Sequence, residues 1–177
     1  MTVKKGAPEN SEGRLESELR SYKLLDELSI EYWRIDHEPA DVMEVCQERA
    51  KALGTRICKN LFLCNRQENS FYLLCMPEDK QFKTSVVSKQ LGVSRLHFAK
   101  QEYMEKFLGL SPGSVSIMGL INDTEGKVCL LMDEELKEQE FFACHPCINT
   151  SSLKFKTSEL FQKLLPKLGR NPVFLQL

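Results

Sequence analysis

The chain has 177 residues, a formal net charge of -1 and 42% hydrophobic residues. This length is typical of one domain, and the hydrophobic fraction is enough to bury a core. No apolar run reaches the about 20 residues that span a bilayer, and the polar start lacks the apolar centre of a secretory signal. We therefore expect a flexible segment over residues 1–14, one domain over residues 15–177, a cytoplasmic location and no membrane contact.

Charge is distributed unevenly along the chain. Residues 49–100 carry 10 Lys/Arg against 3 Asp/Glu, whereas residues 1–48 carry 6 against 12. A basic block of this kind is typical of a surface that binds a polyanion, but an ordinary solvated surface can have the same composition. Both interpretations stay open, because a sequence does not show which charges share a face.

Hydrophobic periodicity predicts the elements of the first half of the chain. In chain order these are a helix over 15–28, a strand over 31–37, a helix that ends at Gly54, and two hairpin strands over 57–65 and 70–77. Asp41 is a candidate N-cap for the second helix, and Glu44 completes a capping-box pattern with it.

The second half continues this mixture of helices and strands. The patterns predict a helix over 84–91, a strand over 95–100, a helix that ends at Gly109, a strand pair around the turn 123–126, a strand over 140–145, and a final helix over 157–168 capped by Thr157 or Ser158. Because hairpins and helices are interspersed, we expect a single α+β domain with a mixed, largely antiparallel β-sheet surrounded by helices. The chain contains no Rossmann or Walker glycine motif, so dinucleotide and nucleoside-triphosphate chemistry are not leading candidates.

The segment from Cys144 to Cys147 has the C-x-x-C spacing of thiol oxidoreductases. In those proteins a following helix lowers the thiol pKa, but residues 148–158 are polar and β-branched and do not favour a helix. A zinc site would need further ligands, and no second C-x-x-C pair is present. The seven cysteines are odd in number and mostly isolated among apolar residues, which indicates reduced core residues. We expect no metal and no cofactor.

Two segments carry groups that are suited to an ester or a phosphate. Lys59 and Asn60 interrupt an apolar strand, where a lysine either meets an anion or points to solvent at the strand's edge. The loop 109–113 contains two glycines, which let backbone N–H groups approach a ligand closely. A helix end followed by a turn explains the same loop and is the favoured interpretation of these residues alone.

His145 follows an apolar strand and precedes a proline, and Asn149 and Thr150 come shortly after it. At such a position an imidazole can project into a cleft, although a packed core histidine is the more common case. No serine or cysteine lies in a recognisable triad signature, so the sequence does not support covalent catalysis.

Taken in chain order, the segments CKNLFL, GLSPGSVSIMGLIND and HPCINTSSL resemble the editing domain associated with prolyl-tRNA synthetase. The chain is most similar to the free-standing alanyl-tRNA(Pro) deacylases, including the PrdX proteins, from Leu15 to Leu177. The resemblance implies a mixed β-sheet wrapped by helices, and a pocket for the terminal adenosine of tRNA with its esterified amino acid. The chain departs from the family at Ile117 and Met118, where Pro-Phe is frequent, and at Val42, where a threonine is common.

The resemblance also implies roles for individual residues. Lys59, Gly113 and His145 match catalytic positions. The positions that contact the substrate are matched by Asn60, Gly109, Ser111, Pro112, Asn149 and Thr150. For the acceptor stem of tRNA, the basic block suggests phosphate contacts by Arg56, Lys80, Lys83, Lys89 and Arg95.

The activity that the resemblance implies is hydrolysis of mischarged tRNA(Pro), above all Ala-tRNA(Pro), by a water molecule. A compact pocket would admit alanine and exclude proline by size. The implied partners are tRNA and prolyl-tRNA synthetase. Two alternatives remain, a regulator that binds aminoacyl-tRNA or the synthetase without turnover, and, less favoured, a thiol-redox protein that uses Cys144 and Cys147.

Overall fold

The structure is a computed structural model that describes residues 1–39 and 43–177, without the side chains of residues 43–47. The predicted capping pair of Asp41 and Glu44, and the family departure at Val42, therefore lie outside the described residues. Within the described ranges, no helix is both long enough and apolar enough to cross a membrane.

Nine strands and seven short to medium helices are described. The strands are β1 (Lys4–Lys5), β2 (Tyr32–Asp36), β3 (Cys58–Cys64), β4 (Phe71–Pro77), β5 (His97–Phe98), β6 (Val128–Asp133), β7 (Phe141–Cys144), β8 (Ser151–Lys156) and β9 (Val173–Leu175). The α-helices are α1 (Glu16–Glu27), α2 (Met43–Leu53), α3 (Thr84–Leu91), α4 (Gln101–Leu108), α5 (Glu135–Glu138), α6 (Thr157–Glu159) and α7 (Leu165–Lys167). A 3-10 helix spans Ile117–Ile121, and a π-helical turn, Leu160–Leu164, joins α6 to α7.

The strands form two sheets. The first has the order β1-β2-β8-β7 and is antiparallel throughout. The second has the order β5-β3-β4-β6-β9, with antiparallel pairing from β5 to β4 and parallel pairing from β4 to β9. The expected α+β class with a mixed, largely antiparallel sheet is confirmed, and the strands are divided between two sheets.

The sequence of strand β4 is continuously apolar rather than alternating because both of its faces are buried. Leu73 and Cys75 pack into the largest core cluster, whereas Leu74 and Met76 pack into a second cluster on the opposite face. The first cluster also contains α1 residues and residues of the first sheet, and the second contains Val87 of α3. A strand that is covered on both faces loses the polar-out positions of a half-exposed strand.

The prediction of a strand pair around the turn 123–126 is wrong for the first of the two strands. Residues 117–121 form a 3-10 helix, capped by the Ser116 hydroxyl, which accepts a hydrogen bond from Met118 N at 3.2 Å. The second member, β6, pairs in parallel with β4. A parallel pair needs a long crossover instead of a tight turn, and the segment 78–127 provides it.

The predicted caps of the last helix are also wrong. The helix begins at Thr157, and Lys156 occupies the N-cap position without a side-chain hydrogen bond. The short strands β8 and β9 carry weak sequence signals, and pairing with β2, β7 and β6 stabilises them. Tertiary pairing therefore overrides local propensity at these strands. Within residues 1–14, Lys4 and Lys5 pair with β2.

Candidate functional site

Lys59 lies near the start of β3, opposite Met76 of β4. Its side chain is partly buried, and its Nζ donates hydrogen bonds to the backbone carbonyl oxygens of Glu78, at 3.3 Å, and of Lys80. The ammonium group is thus held against the segment that follows β4. Lys59 is therefore restrained by backbone carbonyl groups and does not extend freely into solvent, and its contact with an anion stays a prediction.

Asn60 lies opposite Cys75 in the same hairpin. The Cys75 thiol donates to Asn60 Oδ1 at 3.0 Å, which orients the amide. Asn60 Nδ2 is buried and meets no acceptor among the described residues. A buried donor without a partner costs about 1 to 3 kcal/mol, so an acceptor on a bound molecule would recover this free energy.

His145 follows β7, and both of its ring nitrogens have partners. Its Nδ1 donates to the backbone carbonyl oxygen of Ser151 at 2.9 Å, and its Nε2 lies 3.4 Å from Arg49 Nη1. Burial, reinforced by the charge of Arg49, lowers the pKa of His145 to about 4. The imidazole is therefore neutral at physiological pH, with its proton on Nδ1 and its Nε2 acting as an acceptor.

Among the residues that the structure describes, four others surround His145: His37, Arg49, Glu78 and Ser152. Arg49 lies on α2 and is 1% exposed; its Nη2 donates to Glu78 Oε1 at 3.0 Å and its Nη1 to Ser152 Oγ at 3.4 Å. Ser152 Oγ is also 2.9 Å from His37 Nε2. Sequence reasoning missed all four, because their partners are distant in the chain and no local spacing marks them.

The loop 109–113 comes close to the segment that follows His145. Gly113 has a positive φ of 85°, and a Cβ atom there would lie 3.8 Å from Asn149 Nδ2. Ser116, just after the loop, donates from its hydroxyl to the carbonyl oxygen of His145 at 2.5 Å. Ser111, Pro112 and Gly113 are exposed. The structure thus places Gly113 beside Asn149 and, through Ser116, joins the end of the loop to His145.

Gly109 has a different local role from Gly113. It is the left-handed C-cap of α4, and its N–H donates to the carbonyl oxygen of Glu105 at 3.0 Å. The side chain of Asn122 packs beside it and donates to Leu108 O at 2.6 Å. The N–H of Gly109 is therefore engaged by its own helix, which leaves the turn 111–113 as the part of the loop that faces Asn149.

A cavity of about 660 Å³ lies beside the segment that follows His145, and its wall contains His37, Asn149 and Thr150. The amide of His37 donates to Thr150 O at 2.9 Å, which joins the two sides of the wall. Arg14 and Asp36 also line the cavity and form an ion pair at 3.0 Å. Although burial opposes ionisation, hydrogen bonds from Arg14 and a second arginine lower the pKa of Asp36 to about 2. The cavity wall therefore contains an ionised carboxylate, Asp36, that is held in an ion pair with Arg14.

The basic residues suggested for RNA phosphates fall into two groups. Arg56 is paired with Asp79 and Glu135, and Lys80 with Asp133 and Glu135. The other three residues are exposed: Lys83, Lys89 and Arg95. A cation that already has carboxylate partners gains less from a phosphate, so the exposed group is better suited to one.

The pair Cys144 and Cys147 lacks the surroundings of a reactive thiol. Both are buried and free; burial raises the pKa of Cys144, and it raises the pKa of Cys147 to about 11. Cys147 also has a positive φ of 63°, and strand β8 follows instead of a helix. A redox thiol needs the opposite conditions, which are exposure and a lowered pKa.

Comparisons with known proteins identify relatives of this chain. The prolyl-tRNA editing protein ProX of Acetoanaerobium sticklandii is 29% identical over 136 residues, which cover 77% of this chain and 83% of the relative. Prolyl-tRNA synthetase associated domain-containing protein 1 of Danio rerio is 28% identical over 155 residues, covering 86% of this chain and 83% of the relative.

Solved structures share the fold. A candidate trans-editing enzyme for prolyl tRNA synthetase superposes with a TM-score of 0.66 at 16% identity, covering 92% of this chain and 98% of the other. The family model for the aminoacyl-tRNA editing domain matches residues 37–163, a range that contains the β3–β4 hairpin, the loop 109–113 and His145. The chain therefore belongs to the aminoacyl-tRNA editing domain family.

Proposed function

We propose that this protein hydrolyses the aminoacyl ester of mischarged tRNA(Pro) in trans, with Ala-tRNA(Pro) as its main substrate. The observation that carries the proposal is the connection of the Lys59 ammonium and the His145 imidazole through Glu78 and Arg49. The name of the ProX relative, a prolyl-tRNA editing protein, supports the choice of tRNA(Pro). Its site of action would be the cytoplasm, where the free cysteines are stable as thiols.

The nucleophile in this mechanism is a water molecule. The buried cysteines have raised pKa values and are poor nucleophiles, and His145 is neutral with Nε2 directed toward Arg49. His145 would therefore orient the substrate end and would not be an obligatory base. A free ribose hydroxyl of the terminal adenosine would help to hold the water against the ester carbonyl.

The negative charge that develops on the ester carbonyl oxygen during hydrolysis needs hydrogen-bond donors. The backbone N–H groups of Ser111 and Gly113 in the exposed turn would supply them, and the proximity of Gly113 to Asn149 supports this role. Lys59 would stabilise negative charge on the carbonyl or a nearby phosphate, and Asn60 Nδ2 would donate to an ester or ribose oxygen. These groups bind the transition state more strongly than the planar ester, which is what lowers the barrier.

Substrate choice would depend on size. A compact site can admit alanine and exclude the proline ring, whereas serine, threonine and cysteine differ from alanine by small groups that a pocket discriminates only weakly. The test is a deacylation panel with tRNA(Pro) charged with alanine, serine, cysteine, threonine or proline. We expect the fastest hydrolysis for alanine and the slowest for proline; preferential cleavage of Pro-tRNA would contradict the proposal.

Turnover separates this enzyme from a regulator that only binds. We expect one protein molecule to hydrolyse many molecules of Ala-tRNA(Pro). Binding without multiple turnover would favour a regulatory partner of tRNA or of prolyl-tRNA synthetase. The double variant Cys144→Ser, Cys147→Ser should keep its deacylation rate, because neither thiol takes part in the mechanism.

A further inference from the structure

We propose that Arg49 and Glu78 are positioning residues of the deacylation site, which together fix Lys59 and His145 relative to each other. This inference rests on the proposed function. It adds two residues that act through their neighbours and need not touch the substrate.

Glu78 is the centre of this arrangement because it uses two different groups. Its backbone carbonyl oxygen accepts from Lys59 Nζ at 3.3 Å, and its carboxylate Oε1 accepts from Arg49 Nη2 at 3.0 Å. A displacement of the segment after β4 therefore moves the acceptor of Lys59 and the partner of Arg49 together. One residue thus links the ammonium group to helix α2.

Arg49 extends the connection from Glu78 to His145. Its Nη1 lies 3.4 Å from His145 Nε2 and 3.4 Å from Ser152 Oγ. Because a guanidinium group is planar and rigid, its two terminal nitrogens hold their partners at a fixed separation. Lysine at this position would keep the charge but would lose this geometry.

The burial of Arg49 indicates a role beyond stability. The side chain of Arg49 is 1% exposed, and that of Glu78 is 30% exposed. Removing a guanidinium from water is costly, and a well-packed apolar side chain often stabilises a protein as well as a buried ion pair does. A charge retained at this cost, and directed at a histidine of the site, is consistent with orientation of that histidine.

The contact also determines the tautomer of His145. Since Arg49 can only donate, the acceptor must be an unprotonated Nε2, and the proton stays on Nδ1 against Ser151 O. Within the described part of the chain, the charged groups that face the imidazole are Arg49 and, beyond it, Glu78, and His37 is the neighbouring titratable ring. Removing Arg49 removes a positive charge and frees Nε2 to bind a proton.

The test combines kinetics with NMR. The variants are Arg49→Ala, Arg49→Lys, Glu78→Gln and Glu78→Asp, with the exposed pair on α1 as the matched control, Lys23→Met and Glu27→Gln. In multiple-turnover deacylation of Ala-tRNA(Pro), we expect kcat to fall by about 10- to 100-fold for Arg49→Ala and Glu78→Gln with little change in KM. The control variants should match the wild-type protein.

Chemical rescue and NMR separate positioning from loss of folding. Added guanidinium should restore part of the activity of Arg49→Ala, and Glu78→Asp should retain more than Glu78→Gln. In ¹⁵N NMR titrations, the pKa of His145 should rise in Arg49→Ala and, by less, in Arg49→Lys. An unchanged kcat together with an unchanged titration of His145 in folded Arg49→Ala would overturn the inference.

The two proposals fail in different ways. If the wild-type protein cleaves no aminoacyl ester, the proposed function is wrong, and the titration of His145 still decides whether Arg49 controls its protonation. If Arg49→Ala does not fold, the same titration and the same kcat measurement on Arg49→Lys decide the question, with wild-type values counting against the inference.

Discussion

The hydroxyl of Ser116 lies 2.5 Å from the carbonyl oxygen of His145 and joins the loop that contains Gly113 to the end of β7. The same hydroxyl accepts from Met118 N at 3.2 Å and caps the 3-10 helix. Ser116 is completely buried. One side chain thus sets the distance between two of the segments that form the candidate site.

Ser116→Ala should weaken both the fold and the site. Removal of the donor leaves the partly buried carbonyl oxygen of His145 without this bond, so we expect the free energy of unfolding to fall by about 1 to 3 kcal/mol. Urea unfolding measures this change, and single-turnover kinetics should show slower deacylation at saturating enzyme. Ser114→Ala is the control, because the Ser114 hydroxyl bonds within its own turn, to Ser111 O. Equal stability and equal rates in the two variants would contradict this role of Ser116.

Lys59→Met should abolish most of the catalytic rate while leaving the fold intact. The variant keeps a long aliphatic side chain but loses the ammonium that would stabilise the developing charge, and we expect a decrease of about 10²- to 10³-fold in single-turnover deacylation. Lys23→Met, an exposed lysine on α1, is the control. A rate for Lys59→Met within a factor of two of the wild-type rate would show that this lysine has no catalytic part.

Acidification should destabilise the protein through His145. Burial lowers its pKa from 6.5 in the unfolded chain to about 4 in the native state. Between these values the unfolded state binds a proton that the native state does not bind, so stability is lost as pH falls from 6.5 toward 4. We expect a loss of about 2 to 3 kcal/mol from this group over that range.

The measurement is urea unfolding at several pH values between 7 and 4. His145→Gln should show a flatter dependence of the free energy of unfolding on pH than the wild-type protein. His37, whose pKa is also lowered by burial, contributes with the same sign. If His145→Gln loses stability with acid as steeply as the wild-type protein, the native imidazole is not held neutral.

Gly109→Ala should cost more stability than Gly92→Ala. Both glycines end a helix in the left-handed conformation, which costs an alanine about 1 kcal/mol. At Gly92 a Cβ atom would meet nothing within 4 Å, whereas at Gly109 it would lie 2.9 Å from Asn122 Nδ2. Thermal and urea unfolding of the two variants compare them directly. Equal losses would mean that the Asn122 side chain moves away freely.

The exposed basic residues should account for the salt dependence of tRNA binding. Neutralising Lys83, Lys89 or Arg95 should weaken binding and reduce the slope of log K against log salt by about 1 for each phosphate that the variant no longer neutralises. Arg56→Gln should change this slope less, because Arg56 is paired with Asp79 and Glu135. Binding titrations between low and moderate salt test both statements, and a flat dependence in the wild-type protein would exclude phosphate binding by this group.

The sequence alone was sufficient for several local elements and for the family. Hydrophobic periodicity predicted α1, the β3–β4 hairpin and α3, and Gly92 and Gly109 end their helices as expected. These features depend on neighbours within a few residues, which is the range over which spacing and glycine conformation act. The three motif segments likewise carried enough information to indicate an editing domain.

The tertiary structure alone decided how the site is connected. Arg49 reaches Glu78 and His145 across 29 and 96 residues of chain, and strands β8 and β9 form only because β2, β7 and β6 pair with them. No local pattern encodes such contacts, because side chains that are distant in sequence meet only after the sheets have packed. The burial that neutralises His145 arises in the same way: a low pKa belongs to the folded surroundings of a residue, and not to the residue itself.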